Sequence, residues 1–279
     1  MIGQIIHSTN LGLIYGLIAL SVYLTFRILK FADLTLDGSF VLGGALCCLL
    51  IKAGMHPALA FSLPFFGGAI AGLCTALLHI QWKINEMLAS ILVMTMLYSV
   101  NLRIMGTPNI SIFEAPNVYC ANPIFINFAI VGAILLGLLV LFKSYLGLTI
   151  RAVGLNQKAA ASYSILPAKY ILFTVALSNG IAALAGSLLS QYQGFTDISM
   201  GFGTVITGLA CLMMGEAFIC RYTISKALTF CVLGSIIYRM LIQSALNLDG
   251  LGLQASDLKF ITALFVIAAI VLPKMRRKK

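Results

Sequence analysis

Charge is what this sequence has least of. Charged residues make up 9% of its 279 positions and hydrophobic ones 61%, against about 25% and 45–50% in soluble domains. A chain this apolar cannot cover a water-facing surface, which excludes an ordinary soluble fold. Sequence signs of metal and nucleotide chemistry are missing too. There is no C-x-x-C, no H-E-x-x-H and no G-x-x-x-x-G-K-[ST], and His7, His56 and His79 stand apart from one another. A metalloenzyme has no support on those grounds, and no cofactor is expected; any ATP hydrolysis that drives the chain must come from another subunit. The seven cysteines are odd in number and lack ligand spacing, so a disulfide framework or zinc site is not expected. Cys47, Cys48, Cys74, Cys211 and Cys231 fall in apolar runs as small packing residues, and Cys120 falls in a loop. The first residues lack the basic start and cleavage pattern of a signal peptide, so the first apolar run is expected to be kept as a helix.

What the chain does have is a series of apolar runs of about 20 residues, the length that crosses roughly 30 Å of hydrocarbon as helix. They lack the alternation over about 10 residues that a membrane barrel needs, so their backbone groups must pair within helices. The expected fold is all-α: a polytopic membrane bundle forming one domain over 1–279. Spans are expected near 5–26, 38–52, 57–78, 86–104, 125–143, 169–190, 204–218, 226–246 and 259–273. Nine spans with the C-terminus inside put the N-terminus outside. Arg27, Lys30, Lys83, Lys143, Arg151, Lys158, Lys169, Arg221, Lys226 and the tail cations Lys274, Arg276, Arg277, Lys278 and Lys279 then face the cytoplasm. Lys52, Arg103 and Lys259 face outward and Arg239 lies within a span, an asymmetry that follows the positive-inside rule. Because these cations sit at helix ends and in short loops, the net charge of +10 reads as membrane anchoring and not as nucleic-acid binding.

Four places carry candidate chemistry. Phe31-Ala-Asp-Leu-Thr-Leu-Asp-Gly-Ser-Phe40 holds Asp33, Thr35, Asp37, Gly38 and Ser39 between two apolar runs. Asp37, Gly38 and Ser39 suit a helix start. Within the membrane this would be a broken helix whose positive end faces a transport path; at the surface it would be an interfacial turn. Arg239 lies in an apolar run where an unpaired charge is expensive, so it either snorkels or pairs with Asp249 or Asp257. Glu216 ends another run, as an interfacial cap or a contact to a cytosolic partner. The fourth place is Arg151 to Ile165, polar and Ala-rich, too short to span and therefore water-facing. Gly154, Asn156, Ala159, Ala160, Ser164 and Ile165 suggest a small-sided helix that a partner grips. Gly12 with Gly16, and Gly68 with Gly72, permit close helix approach. The outer loops 106–123 and 191–199 are either plain connections or contacts to an external partner.

The strings Thr9-Asn-Leu-Gly-Leu-Ile-Tyr-Gly-Leu-Ile-Ala-Leu20 and Phe31–Phe40 resemble the permeases of ABC importers for branched-chain amino acids and ribose. Gly154-x-Asn156-x-x-Ala159-Ala160 resembles their cytoplasmic coupling helix, and the resemblance runs from about residue 9 to 273. A narrower subgroup, labelled as tryptophan/tyrosine transport components, is similar at Phe31–Phe40, Gly215-Glu216, Tyr238-Arg239 and Ser256-Asp257-Leu258-Lys259. Ser164 departs from the wider family, which has Gly before the Ile, the residue best suited to a left-handed helix end. The resemblance implies a homodimeric importer core of the type II kind. Two cytosolic ABC ATPase subunits would bind ATP and Mg and grip residues 151–166, an extracytoplasmic substrate-binding protein would dock outside, and the whole would sit in a bacterial inner membrane. The family architecture of about ten helices loses one at the N-terminus in shorter members, which nine spans would match. The competing expectation is a secondary transporter driven by an ion gradient, which should show acidic residues inside its spans.

Overall fold

The computed structural model describes residues 2–113, 118–119, 123–217 and 223–246. The expected ninth span, Arg221, Asp249, Asp257, Lys259, Cys120 and the basic tail lie outside the described residues. Within them, eight helical segments are long and apolar enough to cross a membrane, one for each of the first eight expected spans.

Helix α1 (Ile2–Val22) widens without interruption into a π-helix (Tyr23–Leu29). Lys30, in the left-handed region at φ 56°, stops it. Next come α2 (Thr35–Lys52), α3 (Pro57–Ser62), α4 (Pro64–Trp82) and α5 (Glu86–Met105). Each of α3, α4 and α9 opens on proline, which fits a first turn because its missing N–H would have had no partner there. Strand β1 (Asn109–Ser111) precedes α6 (Pro123–Lys143), and two short helices follow, α7 (Tyr145–Leu155) and α8 (Gln157–Ser162). The chain then returns through α9 (Pro167–Gln193), β2 (Phe195–Asp197), a 3-10 turn (Ile198–Gly201), α10 (Thr204–Ala217) and α11 (Ile224–Leu246).

Two ends of the bundle can be told apart. At one, β1 pairs antiparallel with β2, Asn109 opposite Asp197 and Ser111 opposite Phe195, so the two loops expected as separate are tied into one ladder. At the other lie α7, α8, the π-helix and the α4–α5 turn. Helices α1, α2 and α9 form the centre, with most of their surface buried, whereas α6 has the least covered surface. The glycine pairs act inside the chain. A Cβ on Gly12 would stand 2.7 Å from the Ile236 Cα of α11, and one on Gly68 would stand 2.4 Å from the Asn179 carbonyl oxygen of α9. Backbone contact this close needs the bare glycine.

Two expectations need correction. The segment 151–165 is not one helix, because the chain turns at Asn156, extended at φ −158° and ψ 107°. And α2 begins at Thr35, three residues ahead of the expected start, so Asp37, Gly38 and Ser39 belong to its first turns and do not cap it.

Candidate functional site

The run Phe31–Phe40 sits deep in the bundle. Helix α9 spans roughly 40 Å at 1.5 Å per residue, and Asn179, which touches Asp33, lies about 18 Å from its start. The carboxylate of Asp33 is fully buried; Oδ1 accepts from the Thr35 N–H at 2.9 Å and so caps α2, while Oδ2 accepts from Asn179 Nδ2 at 2.7 Å. Ser39 Oγ donates to Asn179 Oδ1 at 2.7 Å, and Thr35 Oγ1 lies 2.7 Å from Thr75 Oγ1. Asp33, Thr35 and Ser39 therefore lock α2 to α4 and α9, and none of the three reaches an open space.

Asp37 does something else. Its Oδ1 accepts from Thr204 Oγ1 at 2.6 Å and from the Val205 N–H at 2.8 Å, and its Oδ2 accepts from the Gly203 N–H at 3.0 Å. A carboxylate on α2 thus caps α10, whose N-terminus begins partway through the bundle, where free backbone donors would otherwise be unsatisfied. Beside it a small cleft, with room for about one water, opens between α2, α5 and the segment leading into α10. Of the five residues expected along a transport path, Asp37 and Gly38 line it. Sequence reasoning missed its other lining residues, including Tyr98, Asn101 and Phe202. The available signal was Asn101, an amide inside an otherwise apolar helix, which is expensive in a membrane unless it has a task.

The second arrangement lies at the opposite end from the ladder. Helix α7 is pressed onto the π-helix: a Cβ on Gly154 would stand 1.9 Å from the Ile28 carbonyl oxygen. Asn156 ends α7 and caps α8, accepting from the N–H groups of Lys158 at 3.0 Å and Ala159 at 3.1 Å. At the far end of α8, Ser164 is left-handed at φ 60°. Its N–H reaches the Ala161 carbonyl at 3.1 Å and the Ile165 N–H reaches that of Ala160 at 3.3 Å, the paired bonds of a Schellman motif. Ala160 and Ile165 turn inward to Leu29, Phe31, Val153 and Ile171. Ala160 is therefore buried, against the expectation that a partner grips it, whereas Ala159 and Tyr163 lie exposed on the open side.

Glu216 is held by its own chain, with Oε1 2.9 Å from Arg27 Nε across the α10–π-helix contact. Arg239 lies over the ring of Tyr15, its guanidinium carbon 3.6 Å from the centroid. That is a cation–π contact to α1; Asp249 and Asp257, the partners expected for it, lie outside the described residues. At the ladder, Asp197 accepts from the Ser199 hydroxyl and from its N–H at 2.7 Å. Those bonds, the hydroxyl first, hold its carboxyl below the ordinary range. Among the described residues there is no cluster of three or more potential metal ligands.

A bundle of apolar spans of this length is the architecture of a multi-pass membrane protein. The chain belongs to the family described as branched-chain amino acid transport system / permease component, which matches residues 4–271. It is 38% identical over 259 residues to a protein named tyrosine transport system permease protein from Clostridioides difficile (strain R20291), covering 92% of this chain and 87% of that one. It is 33% identical over 271 residues to the uncharacterized protein RP368 of Rickettsia prowazekii (strain Madrid E), covering 93% of each. Its fold is shared with PsaBC from Streptococcus pneumoniae, solved in complex with Fab, at a TM-score of 0.54 and 13% identity over 95% of this chain and 89% of that one.

Proposed function

We propose that this chain is the membrane subunit of an ABC importer that carries a small solute, of the aromatic amino-acid class, across a bacterial inner membrane by ATP-driven alternating access. The observation that carries the reading is α8: a short helix, capped at both ends, offering small side chains and Tyr163 to a partner while Ala160 and Ile165 anchor it inward. Such a platform suits a cytosolic ABC ATPase, which would supply ATP and Mg binding that this chain has no sequence motif to provide. The tight seat of α7 on the π-helix would pass ATPase motion into α1. An extracytoplasmic binding protein would dock at the β1–β2 ladder, and two copies of the chain would form the core as a homodimer.

The charge distribution supports an N-terminus outside and a C-terminus in the cytoplasm. Among described residues, Arg27, Lys30, Lys83, Lys143, Arg151, Lys158, Lys169 and Lys226 lie toward the α8 end, against Lys52 and Arg103 toward the ladder. The aromatic class rests on the name of the Clostridioides difficile relative. The test is affinity purification from native membranes with identification of stoichiometric companions. An ABC ATPase that co-purifies with the wild type and is lost on Ala159→Arg, while the permease stays folded, is the expected result; a permease that arrives without one overturns the reading.

One observation favours a second reading. Asp37 places a carboxylate at the edge of a mid-depth cleft, as an ion-coupled secondary transporter would. Solute uptake by the reconstituted chain alone, driven by a proton or sodium gradient, would establish that alternative.

A further inference from the structure

Helix α7 has two apolar sides, and the bundle covers one of them. Gly147, Ile150, Val153 and Gly154 are buried on the inner side, with Gly154 against the π-helix. On the other side Tyr145, Leu148, Ala152 and Leu155 recur at intervals of three and four residues, the repeat of one helix face. Tyr145 is 71% exposed, Leu148 56% and Leu155 74%. An open apolar face of this kind marks a contact with another protein or with a membrane.

Position and charge say which. Helix α6 has 21 residues, about 31 Å at 1.5 Å per residue, which is one hydrocarbon thickness. It has the least covered surface of the spans and so borders lipid. Only Ser144 lies between its last residue, Lys143, and Tyr145, so α7 starts where a lipid-facing span leaves the hydrocarbon. Tyrosine is favoured at that depth, and a helix can lie there with an apolar face sunk among lipid chains. Lys143 is exposed beside it. Arg151 stands at the edge of the open face, its Nε donating to the Gly147 carbonyl at 3.2 Å, which leaves the other guanidinium N–H groups for a further acceptor. Neither cation has an ion-pair partner among the described residues. Between Glu114 and Asp197 the sequence carries Lys143, Arg151, Lys158 and Lys169 and no acidic residue. A surface of this sign and shape complements an anionic phospholipid, phosphate at the cations and acyl chains at the leucines.

We propose that the open face of α7 is a docking surface for anionic phospholipid of the leaflet at the α8 end. Lys143 and Arg151 receive the headgroup phosphate, and Tyr145, Leu148 and Leu155 lie against the acyl chains. Asn156 alone separates α7 from α8, so the lipid under α7 fixes where α8 stands. That consequence for a partner rests on the importer reading above; the lipid surface itself needs only the bilayer.

The experiment reads lipid contact at α7. Leu148→Cys is made with Cys74→Ser, Cys120→Ser and Cys220→Ser in the full-length chain, whose other four cysteines are buried. It is labelled with a nitrobenzoxadiazole dye and placed in phosphatidylcholine nanodiscs, with and without its companion proteins. Small amounts of phosphatidylglycerol or phosphatidylcholine carrying a nitroxide on the acyl chain are then included, and both are expected to quench the dye. One surface cation favours an anionic lipid about fivefold, so phosphatidylglycerol should reach half-quenching at a severalfold lower mole fraction. Lys143→Gln with Arg151→Gln should abolish that preference and keep the quenching by phosphatidylcholine. A dye at Phe128→Cys, on α6 toward the ladder and 67% exposed, should be quenched equally by the two lipids. Equal quenching at Leu148, the same preference at Phe128, or a preference that survives the double Gln variant overturns the proposal. So does a Leu148 dye open to aqueous iodide and untouched by either lipid, or one shielded only while a companion is bound, which would make the face a protein contact. If Leu148→Cys folds poorly, Tyr145→Cys on the same background gives the same reading. Lipid contact is read whether or not an ATPase is among the companions, so failure of the importer reading and failure of the lipid surface are seen separately.

Discussion

Asp37 and Thr204 belong to different helices and share one hydrogen bond of 2.6 Å, through which a carboxylate near the start of α2 holds the start of α10. The cap is completed by the backbone of Gly203 and Val205.

Replacing Asp37 by Ala should cost at least the 0.5–2 kcal/mol typical of a lost cap, about 1 kcal/mol being usual. Thr204→Val, which leaves both backbone donors in place, should cost about 0.5–1.5 kcal/mol. Thermal unfolding in detergent checks the order. Uptake per folded transporter should fall much further for Asp37→Ala than for Thr204→Val, because Asp37 also edges the cleft.

Gly154→Ala places a methyl 1.9 Å from the Ile28 carbonyl oxygen. Backbone cannot yield as a side chain does, so α7 must lift off the π-helix at a cost of about 1–3 kcal/mol. ATP hydrolysis by the purified complex should lose its dependence on solute while the permease still inserts. Unchanged coupling in that variant would show that the seat of α7 carries no motion.

Ser164→Gly should stabilise the chain. A residue with a Cβ pays about 1–2 kcal/mol in the left-handed region, offset in part by glycine's freedom in the unfolded chain. A rise in the thermal midpoint is expected, with ATPase association intact. A fall would mean that the Ser164 hydroxyl has a role the backbone does not explain.

Ala160→Arg and Ala159→Arg separate packing from docking. Ala160 is buried against Leu29 and Val153, so arginine there should reduce the amount of folded protein in the membrane. Ala159 is exposed, so arginine there should leave the amount unchanged and remove the partner. Quantitative blotting of membranes, with co-purification, distinguishes the two.

The span pattern was legible because lipid allows few structures: apolar runs of helix length must be helices. The paired glycines were legible for a similar reason, since Gly12 and Gly68 permit approaches that no larger residue does. The left-handed end at Ser164 could be suspected from the residue the wider family places there. Other features depend on partners distant in sequence. Nothing near Asp37 says that its acceptor sites are filled 166 to 168 residues away. Nothing local to Asn101 says that its Nδ2 is bonded to the Gly38 carbonyl while its buried Oδ1 has no partner. The inward turn of Ala160 was hidden because alanine carries no sign of which face it serves. The short helix α7 (Tyr145–Leu155) was missed, its residues divided between the gap after the expected span 125–143 and the segment 151–165, because a helix this short that lies along the surface leaves no span-length apolar run.

The β1–β2 ladder gives the outer loops a mechanical reach. Four residues separate Asp197, in the ladder, from Phe202, at the cleft. That stretch carries a 3-10 turn tied back to Asp197 at its head and ends at the capped start of α10. It is a short leash with both ends fastened. If a protein seats on the ladder as proposed, this leash would carry a shift of the ladder to the start of α10.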